Sequence, residues 1–300
     1  TGDPRGGTRI LGGLAKPLSH PRTGQPVAPA GPGGPVAVLP PDGDSRRVLA
    51  DWITDPDNPY FSTTLVNRLW AHYFGRGLVE PVDDLRATNP ASNEPLLNAL
   101  AAEFVRLGFD VKAITQLMLE SHVYQLSAQP NASNELDAQN YSHAAWKPLS
   151  AEVLLDAISQ VTGVPEEFNG WPRGYRAIQI WDNKLPSHFM KVFGRPARQT
   201  VCACERGTEP GIAQVLHLMN APEIDNKIHH LHGRAAAMAV SSMSDQSVVE
   251  ELYLTCLSRY PQPEEMALMK SVLADSSDRR GTIEDLLWTL MNKREFVFNH

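Results

Sequence analysis

The sequence is poor in cysteine and lacks the short motifs that mark common cofactor sites. Its 300 residues include three cysteines, Cys202, Cys204 and Cys256, so a disulfide-rich scaffold is excluded and at most one disulfide can form within the chain. The haem-attachment pattern C-x-x-C-H, the P-loop, H-E-x-x-H, G-x-S-x-G and the dinucleotide-binding glycine pattern are all absent. We therefore predict no cofactor in this chain, apart from the metal alternative considered below.

Positive charge and long apolar runs are also scarce. The sequence has 27 Lys and Arg against 34 Asp and Glu, a formal net charge of −7. Because nucleic-acid binding relies on clustered Lys and Arg, we predict no nucleic-acid partner. No apolar run of about 18 residues is present, which predicts no membrane-spanning helix. The chain begins at Thr1 without a recognisable signal peptide, and we expect it to be a fragment or processed product of a longer protein.

Proline and glycine are concentrated at the start of the sequence. Residues 1–43 contain nine Pro and ten Gly, which disfavour both helix interiors and central strands. We therefore predict an arm or linker over 1–43. From Asp44 onward, capped amphipathic stretches recur and strand patterns are nearly absent. The sequence predicts an all-α fold: an irregular multi-helix domain of about ten helices over 44–300, with an extended Gly/Pro-rich N-terminal arm and a few short strands. Subdomains over 44–126 and 148–300 are the alternative to one helical domain.

The sequence also predicts where several helices and strands begin or end. The best-defined helix covers 60–74, and Gly75 suits a left-handed position at its C-terminus. We also predict a short strand over 177–181, and a helix that is capped by Thr208 and runs to residue 220. Thr282 and Asp285 have the spacing of a capping box at the start of the last long helix.

The helix over 60–74 carries a polar strip followed by an acidic loop. Arg68 and His72 are four residues apart and share a face, with Asn67 beside them. A histidine near a carboxylate can act as a general base, whereas the alternative is a solvated helix face with an ion-paired loop. The candidate catalytic residues are His72, Asp83 and Asp84, and the candidate binding residues of this part are Asn67, Arg68 and Arg76.

The stretch GRPARQTVCACERGTEPG, residues 194–211, combines two thiols with several charges. Two thiolates in a Cys-x-Cys pattern can hold a soft metal ion, with a histidine 13 residues further on as the third ligand. The alternatives are a strained disulfide, an arginine clamp for an anion, and a structural clasp of ion pairs, which we favour. The candidate metal ligands are Cys202, Cys204 and His217, and the candidate binding residues are Arg195, Arg198, Glu205 and Arg206.

The three cysteines are expected to differ in reactivity. Cys202 and Cys204 lie in a cationic stretch before a predicted helix, a setting that favours the thiolate. Cys256 falls on the apolar face of SVVEELYLTCLS and is most simply a buried core thiol.

Charge complementarity predicts a contact between two distant elements. Asp83 and Asp84 follow the helix over 60–74, whereas Arg195, Arg198 and Arg206 lie more than 100 residues later. Such groups are costly to bury without partners, so we expect the acidic loop and the arginine-rich stretch to meet.

Several long stretches resemble one family, a C-terminal domain of unknown function in large planctomycete proteins that often carry a cytochrome-c-like domain upstream. The resemblance covers roughly 44–300 and rests on RRVLADWITDPDNPYFSTTLVNRLWAHYFGRGLVEPVDDLR, NPASNEPLLNALAAEFVRLGFDVKAI, PLSAEVLLDAISQVTG, FGRPARQTVCACER, QVLHLMN and LLWTLMNKREFVFNH. The family's motif positions fall here on Asn67, Arg68, Trp70, His72, Gly75, Arg76, Asp83, Asp84, Arg195, Arg198, Cys202, Cys204, Glu205, Arg206, His217 and Asn220.

The resemblance implies a setting rather than a reaction. It implies an extracytoplasmic location, periplasmic or at the cell surface, with other domains of the same longer protein or a haem-bearing partner as neighbours. The function expected from it is a non-catalytic interaction or scaffold domain. The alternatives are a hydrolase acting on a polymer or its anionic units, and an accessory to a haem-bearing electron-transfer partner that docks near Trp171 or Trp181. Polar motif groups that converge on one cleft would favour an enzyme, and groups paired within the fold would favour a structural role.

Overall fold

The computed structural model describes residues 18–31, 34–39, 44–181, 185–196 and 211–299. The contacts divide the chain into two compact units, Thr1–Ala145 and Trp146–His300. The all-α prediction is confirmed, because 51% of the residues are helical and the strands within the described part are only two residues long. None of the helices in that part has the length and apolar character that crossing a bilayer requires.

The first unit begins with a small hairpin and continues as helices. Its elements in the described part are strands β1 (Leu18–Ser19) and β2 (Pro26–Val27) and helices α1 (Ser45–Ile53), α2 (Pro59–Phe74), α3 (Glu94–Arg106) and α4 (Val111–Leu119). The two strands pair antiparallel. Each helix starts at a residue whose side chain accepts a hydrogen bond from a first-turn N–H group, and these residues are Asp44, Asn58, Asn93 and Asp110.

Helix α2 is the centre of the first unit's core. It packs against α3 and α4, and Val66, Trp70 and Phe74 are buried along one of its faces. The rings of Trp70 and Phe74 stack with their centroids 3.9 Å apart. Gly75 ends the helix with φ of 84°, which confirms the predicted left-handed position.

The second unit contains the larger core. Its elements in the described part are strand β3 (Lys147–Pro148), helices α5 (Ala151–Thr162), α6 (His188–Val192), α7 (Ile212–Asn220), α8 (Pro222–Ile228), α9 (Arg234–Val240), α10 (Asp245–Leu257), α11 (Pro263–Asp275), α12 (Arg279–Met291) and α13 (Arg294–Val297), and strand β4 (Phe298–Asn299). Strands β3 and β4 pair antiparallel. Helices α5, α10 and α12 supply fully buried leucines such as Leu154, Leu252 and Leu287. Cys256 is buried in the same core, which confirms its expected place.

The predicted strand over 177–181 is wrong. Residues Ala177–Gln179 form a 3₁₀ turn instead. The carboxylate of Asp156 on α5 accepts hydrogen bonds from the N–H groups of Ala177 (2.6 Å) and Ile178 (3.2 Å). Because this carboxylate takes the donors that a neighbouring strand would use, the segment closes into a turn against α5.

A predicted helix start is also wrong. Helix α12 begins at Arg279, and its cap is Asp278 rather than Thr282, because the Asp278 side chain accepts from the N–H of Gly281 at 3.0 Å. Thr282 lies inside the helix and donates to the carbonyl of Asp278. Helix α7 begins at Ile212, since Gly211 has extended backbone, and Thr208 lies outside the described residues.

Candidate metal site

Two histidines and a glutamate from three helices converge in the second unit. They are His188 on α6, His217 on α7 and Glu223 on α8. Each side chain offers one ligand atom, a ring nitrogen or a carboxylate oxygen, and these three atoms lie within 4.8 Å of one another. Nε2 of His217 lies 2.9 Å from Oε1 of Glu223. The rings of His188 and His217 have centroids 5.2 Å apart. Imidazole and carboxylate together are a ligand set for a divalent transition metal.

Helix α7 turns its histidine towards the protein. The His217 side chain is only 9% exposed. Its ring packs edge-on against the rings of Phe189 on α6 and of Phe193 just after that helix. The amide of Gln214 donates to the carbonyl of Val192 at 3.2 Å and thus ties α7 to the end of α6. These contacts hold the His217 ring in a mostly apolar environment.

A tight corner brings Glu223 to His217. Ala221 ends α7 and also precedes α8, with extended backbone at φ of −69° and ψ of 126°. Pro222 occupies the first position of α8, where its missing N–H leaves no helical hydrogen bond unmade. Because the corner has no further residues, the first turn of α8 places Glu223 directly beside His217.

Helix α6 provides the third side chain. Its cap is Ser187, whose hydroxyl oxygen accepts from the N–H of Met190 at 3.2 Å. Phe189 and Met190 are buried, which anchors this short helix, and His188 precedes them on the exposed side. The exposed His188 and Glu223 therefore flank the mostly buried side chain of His217.

A pocket of about 250 Å³ adjoins this cluster. His188, Glu223 and Lys227 are among its lining residues, with apolar side chains such as Phe168 and Leu185. The ammonium group of Lys227 is mostly buried; it donates to the carbonyl of Val164 at 2.8 Å and pairs with Glu166 at 3.1 Å. The pocket thus combines carboxylates, a histidine and a cation with an apolar wall.

Arg195, a candidate binding residue, is enclosed by the second unit. Its guanidinium lies 3.5 Å from the Glu152 carboxylate, and both side chains are buried. It donates to the carbonyl of Ile180 at 2.6 Å and to the sulfur of Met190 at 2.7 Å. Arg195 thereby connects α5, the end of the 3₁₀ turn and α6, which supports the fold around the pocket.

The candidate residues of the first unit are engaged locally. Arg68 forms two hydrogen bonds with Asp83, at 2.6 and 2.8 Å, and this contact raises the pKa of the Arg68 guanidinium. Asp84 pairs with Arg86 at 2.6 Å, which lowers the pKa of the Asp84 carboxyl. The predicted contact of these aspartates with the arginine-rich stretch stays a prediction.

The other three candidates of this unit occupy different environments. Asn67 is fully buried, so it does not lie on an exposed polar strip as expected. His72 is exposed, and its ring packs edge-on against Tyr73 with centroids 4.8 Å apart. Arg76 donates to the carbonyl of Ala138 over a long distance of 3.4 Å.

Sequence reasoning identified one member of the cluster and missed two. His217 was a candidate metal ligand, whereas His188 and Glu223 were not, because neither stands at a spacing that a known metal motif uses. The sequence signal that could have found Glu223 is the corner at Ala221 and Pro222, which shortens the distance between the two side chains. The candidates Arg198, Cys202, Cys204, Glu205 and Arg206 lie outside the described residues.

Comparison with known proteins identifies a family without an assigned activity. A family model described as "PSD1: Protein of unknown function (DUF1553)" matches residues 45–273. The comparisons with curated proteins and with solved structures returned no match. Since the family model covers well over half of the sequence, the chain belongs to the PSD1 family of proteins of unknown function.

Proposed function

We propose that this chain is a non-catalytic interaction domain of a larger extracytoplasmic protein, and that helix α7 carries its contact surface. The extracytoplasmic setting and the larger parent protein are proposed from the planctomycete family resemblance of the sequence. The contact surface is proposed from the geometry of α7.

The observation that carries this proposal is the outward apolar stripe of α7. The stripe consists of Ile212, Val215, Leu216 and Met219, whose side chains are between 42% and 80% exposed. These positions follow the i, i+3, i+4, i+7 spacing of one helix face. Leu218 is the residue of α7 that is buried. A surface helix normally turns such a stripe towards the core, and contiguous exposed apolar surface marks interaction sites.

The proposed occupant is another domain of the same parent protein, with an apolar face and a basic edge. Helix α8 follows α7 directly and carries the exposed carboxylate of Asp225. A carboxylate at the rim of an apolar patch favours a partner with Lys or Arg at the matching rim. An apolar centre with a charged rim is the usual anatomy of a protein interface.

A photoreactive amino acid at position 216 of the intact parent protein tests this proposal. Crosslinks from position 216 to a domain outside this chain are expected. Leu268 on α11, which is 66% exposed, is the matched control and should give no such crosslinks. Crosslinks between two copies at position 216, or equal yields from both positions, would contradict the proposal.

The pocket favours a second candidate function, a hydrolase acting on a polymer or its anionic units. The carboxylates of Glu166 and Glu223 and the ammonium of Lys227 line one opening, where carboxyl groups can serve as general acid and base and the cation can bind an anionic unit. Release of reducing ends from sulfated and uronic-acid polysaccharides would support this function, provided that Glu223→Gln abolishes it. No release from any of these polymers would count against it.

The aromatic surface near Trp181 bears on the electron-transfer alternative. Trp181 is largely exposed, and its ring packs edge-on against Trp171 with centroids 5.8 Å apart. A haem-bearing partner that docks there would give crosslinks from position 181 rather than from position 216. That outcome would favour the accessory role over the interaction surface on α7.

A further inference from the structure

We propose that His188, His217 and Glu223 bind a divalent transition metal ion, for which zinc is the best fit. The proposal is independent of the interaction surface on α7, because it uses the opposite, inward face of that helix. It also requires no catalytic activity of the chain.

The distances fit a metal ion at the centre of the cluster. Zinc lies about 2.0–2.2 Å from imidazole nitrogen and carboxylate oxygen, so two ligand atoms of a tetrahedral site are about 3.4 Å apart. The three candidate ligand atoms all lie within 4.8 Å of one another, and the pair from His217 and Glu223 is at 2.9 Å. Small side-chain rotations of the exposed His188 and Glu223 therefore suffice to bring all three ligand atoms to coordination distance from one ion.

The mostly buried side chain of His217 makes the site preorganised. The edge-on packing of His217 against the stacked rings of Phe189 and Phe193 fixes its ring, and its Nε2 already faces the Glu223 carboxylate. A ligand that is held in place before binding loses little conformational entropy when the ion arrives. Because α6, α7 and α8 each contribute one ligand, a bound ion would also connect three helices.

Charge and ligand type select the ion. Two neutral imidazoles and one carboxylate carry a net charge of −1, which a dication compensates. Imidazole suits zinc and its first-row neighbours, whereas calcium and magnesium prefer all-oxygen sites. Three protein ligands leave at least one coordination position for water or an anion, and the pocket beside His188 and Glu223 also holds Lys227, which can pair with an anion.

Zinc affinity of the 300-residue chain tests the proposal. After treatment with a chelator, the chain is titrated with zinc in competition with a chromogenic chelator. His188→Gln, His217→Gln and Glu223→Gln are each expected to lower zinc affinity by at least about tenfold, because each removes a direct ligand, while even outer-sphere changes cost 10–100-fold. His232→Gln, at an exposed histidine outside the cluster, is the control and is expected to bind like the unmodified chain.

Circular dichroism of each variant separates loss of binding from loss of folding. Glu223 is exposed, so Glu223→Gln is expected to keep the helical spectrum even if His217→Gln does not. An unchanged zinc affinity in folded Glu223→Gln and His188→Gln, or no zinc binding by the unmodified chain, would overturn the proposal.

Cobalt(II) in place of zinc identifies the ligand atoms. Nitrogen and oxygen ligands are expected to give visible d–d bands that His188→Gln and Glu223→Gln remove. A thiolate-to-cobalt charge-transfer band that persists in both variants, with no other bands, would assign the ion to the cysteines and overturn the proposal.

Discussion

Asn67 joins helix α2 to the loop that follows it. Its amide nitrogen donates to the carbonyls of Val79 (3.0 Å) and Val82 (2.8 Å), and its amide oxygen accepts from the N–H of Val79 at 2.9 Å. A Cβ atom at Gly77 would collide with the carbonyl oxygen of Val79, so only glycine fits there. Asn67, a candidate binding residue, therefore organises the backbone of this loop.

Replacing Asn67 should therefore destabilise the first unit. Asn67→Ala leaves buried N–H and carbonyl groups without partners, and each such group costs about 1–3 kcal/mol. We expect the free energy of unfolding to fall by about 2–4 kcal/mol, measured by urea denaturation with helical circular dichroism. Asn98→Ala, at an exposed position of α3, should change it by less than about 0.5 kcal/mol. Equal effects of the two variants would contradict this account.

Cys256 should be chemically inert in the folded chain. Burial raises the pKa of its thiol to about 12, so almost no thiolate is present at neutral pH. We expect iodoacetamide to leave Cys256 unmodified in the native chain and to modify it after unfolding, as read by peptide mass spectrometry. Cys202 and Cys204, predicted to be reactive from the sequence, should be modified first. Rapid native modification of Cys256 would be inconsistent with a buried thiol.

At the scale of elements, one charged network connects the ends of α10, α11 and α13. Arg259, just after α10, binds Glu265 at 2.7 Å and Glu295 at 2.9 Å. Lys293 binds Glu265 at 2.7 Å, and the N–H of Gln262 donates to the same carboxylate. These contacts, led by Arg259, lower the pKa of the Glu265 carboxyl from its ordinary value of 4.5.

The lowered pKa of Glu265 makes the second unit sensitive to acid. A carboxyl with a depressed folded pKa contributes stability above its unfolded value, and that stability is lost as pH falls through the folded pKa. We expect the free energy of unfolding to decrease as pH falls below about 4.5, and Glu265→Gln to weaken this dependence. Thermal unfolding between pH 3 and pH 7 provides the measurement. Parallel pH profiles of variant and unmodified chain would exclude Glu265 as the cause.

The elements that the sequence predicts well are those with local signals. Three helix caps are local signals of this kind, because the side chain accepts a hydrogen bond from an N–H group two or three residues later: Asp44, Asn93 and Asp110. The helices that they start can therefore be located without knowing the fold. The strand predicted over 177–181 is wrong because the carboxylate of Asp156, which lies 21 residues before Ala177, accepts hydrogen bonds from the N–H groups of Ala177 and Ile178. His188 and Glu223 could not be assigned to a site with His217 from the sequence, because their proximity depends on how α6, α7 and α8 pack.

At the scale of the whole molecule, each unit has its own apolar core. Among the described helices, α7 exposes the most large apolar side chains. The first core surrounds α2, and the second surrounds α5, α10 and α12. The inward face of α7 carries His217 of the candidate metal site, and its outward face carries the apolar stripe. The outward direction of the stripe follows from the inward packing of Gln214, His217 and Leu218.

The central claim, that the stripe on α7 is covered in the parent protein, is tested most directly by carbene footprinting. The isolated chain and the intact parent protein are labelled under identical conditions, and modification is quantified at Leu216 on α7 and at Leu268 on α11. The account predicts that labelling of Leu216 falls severalfold in the parent protein while labelling of Leu268 is unchanged. Equal labelling of Leu216 in both proteins would contradict it.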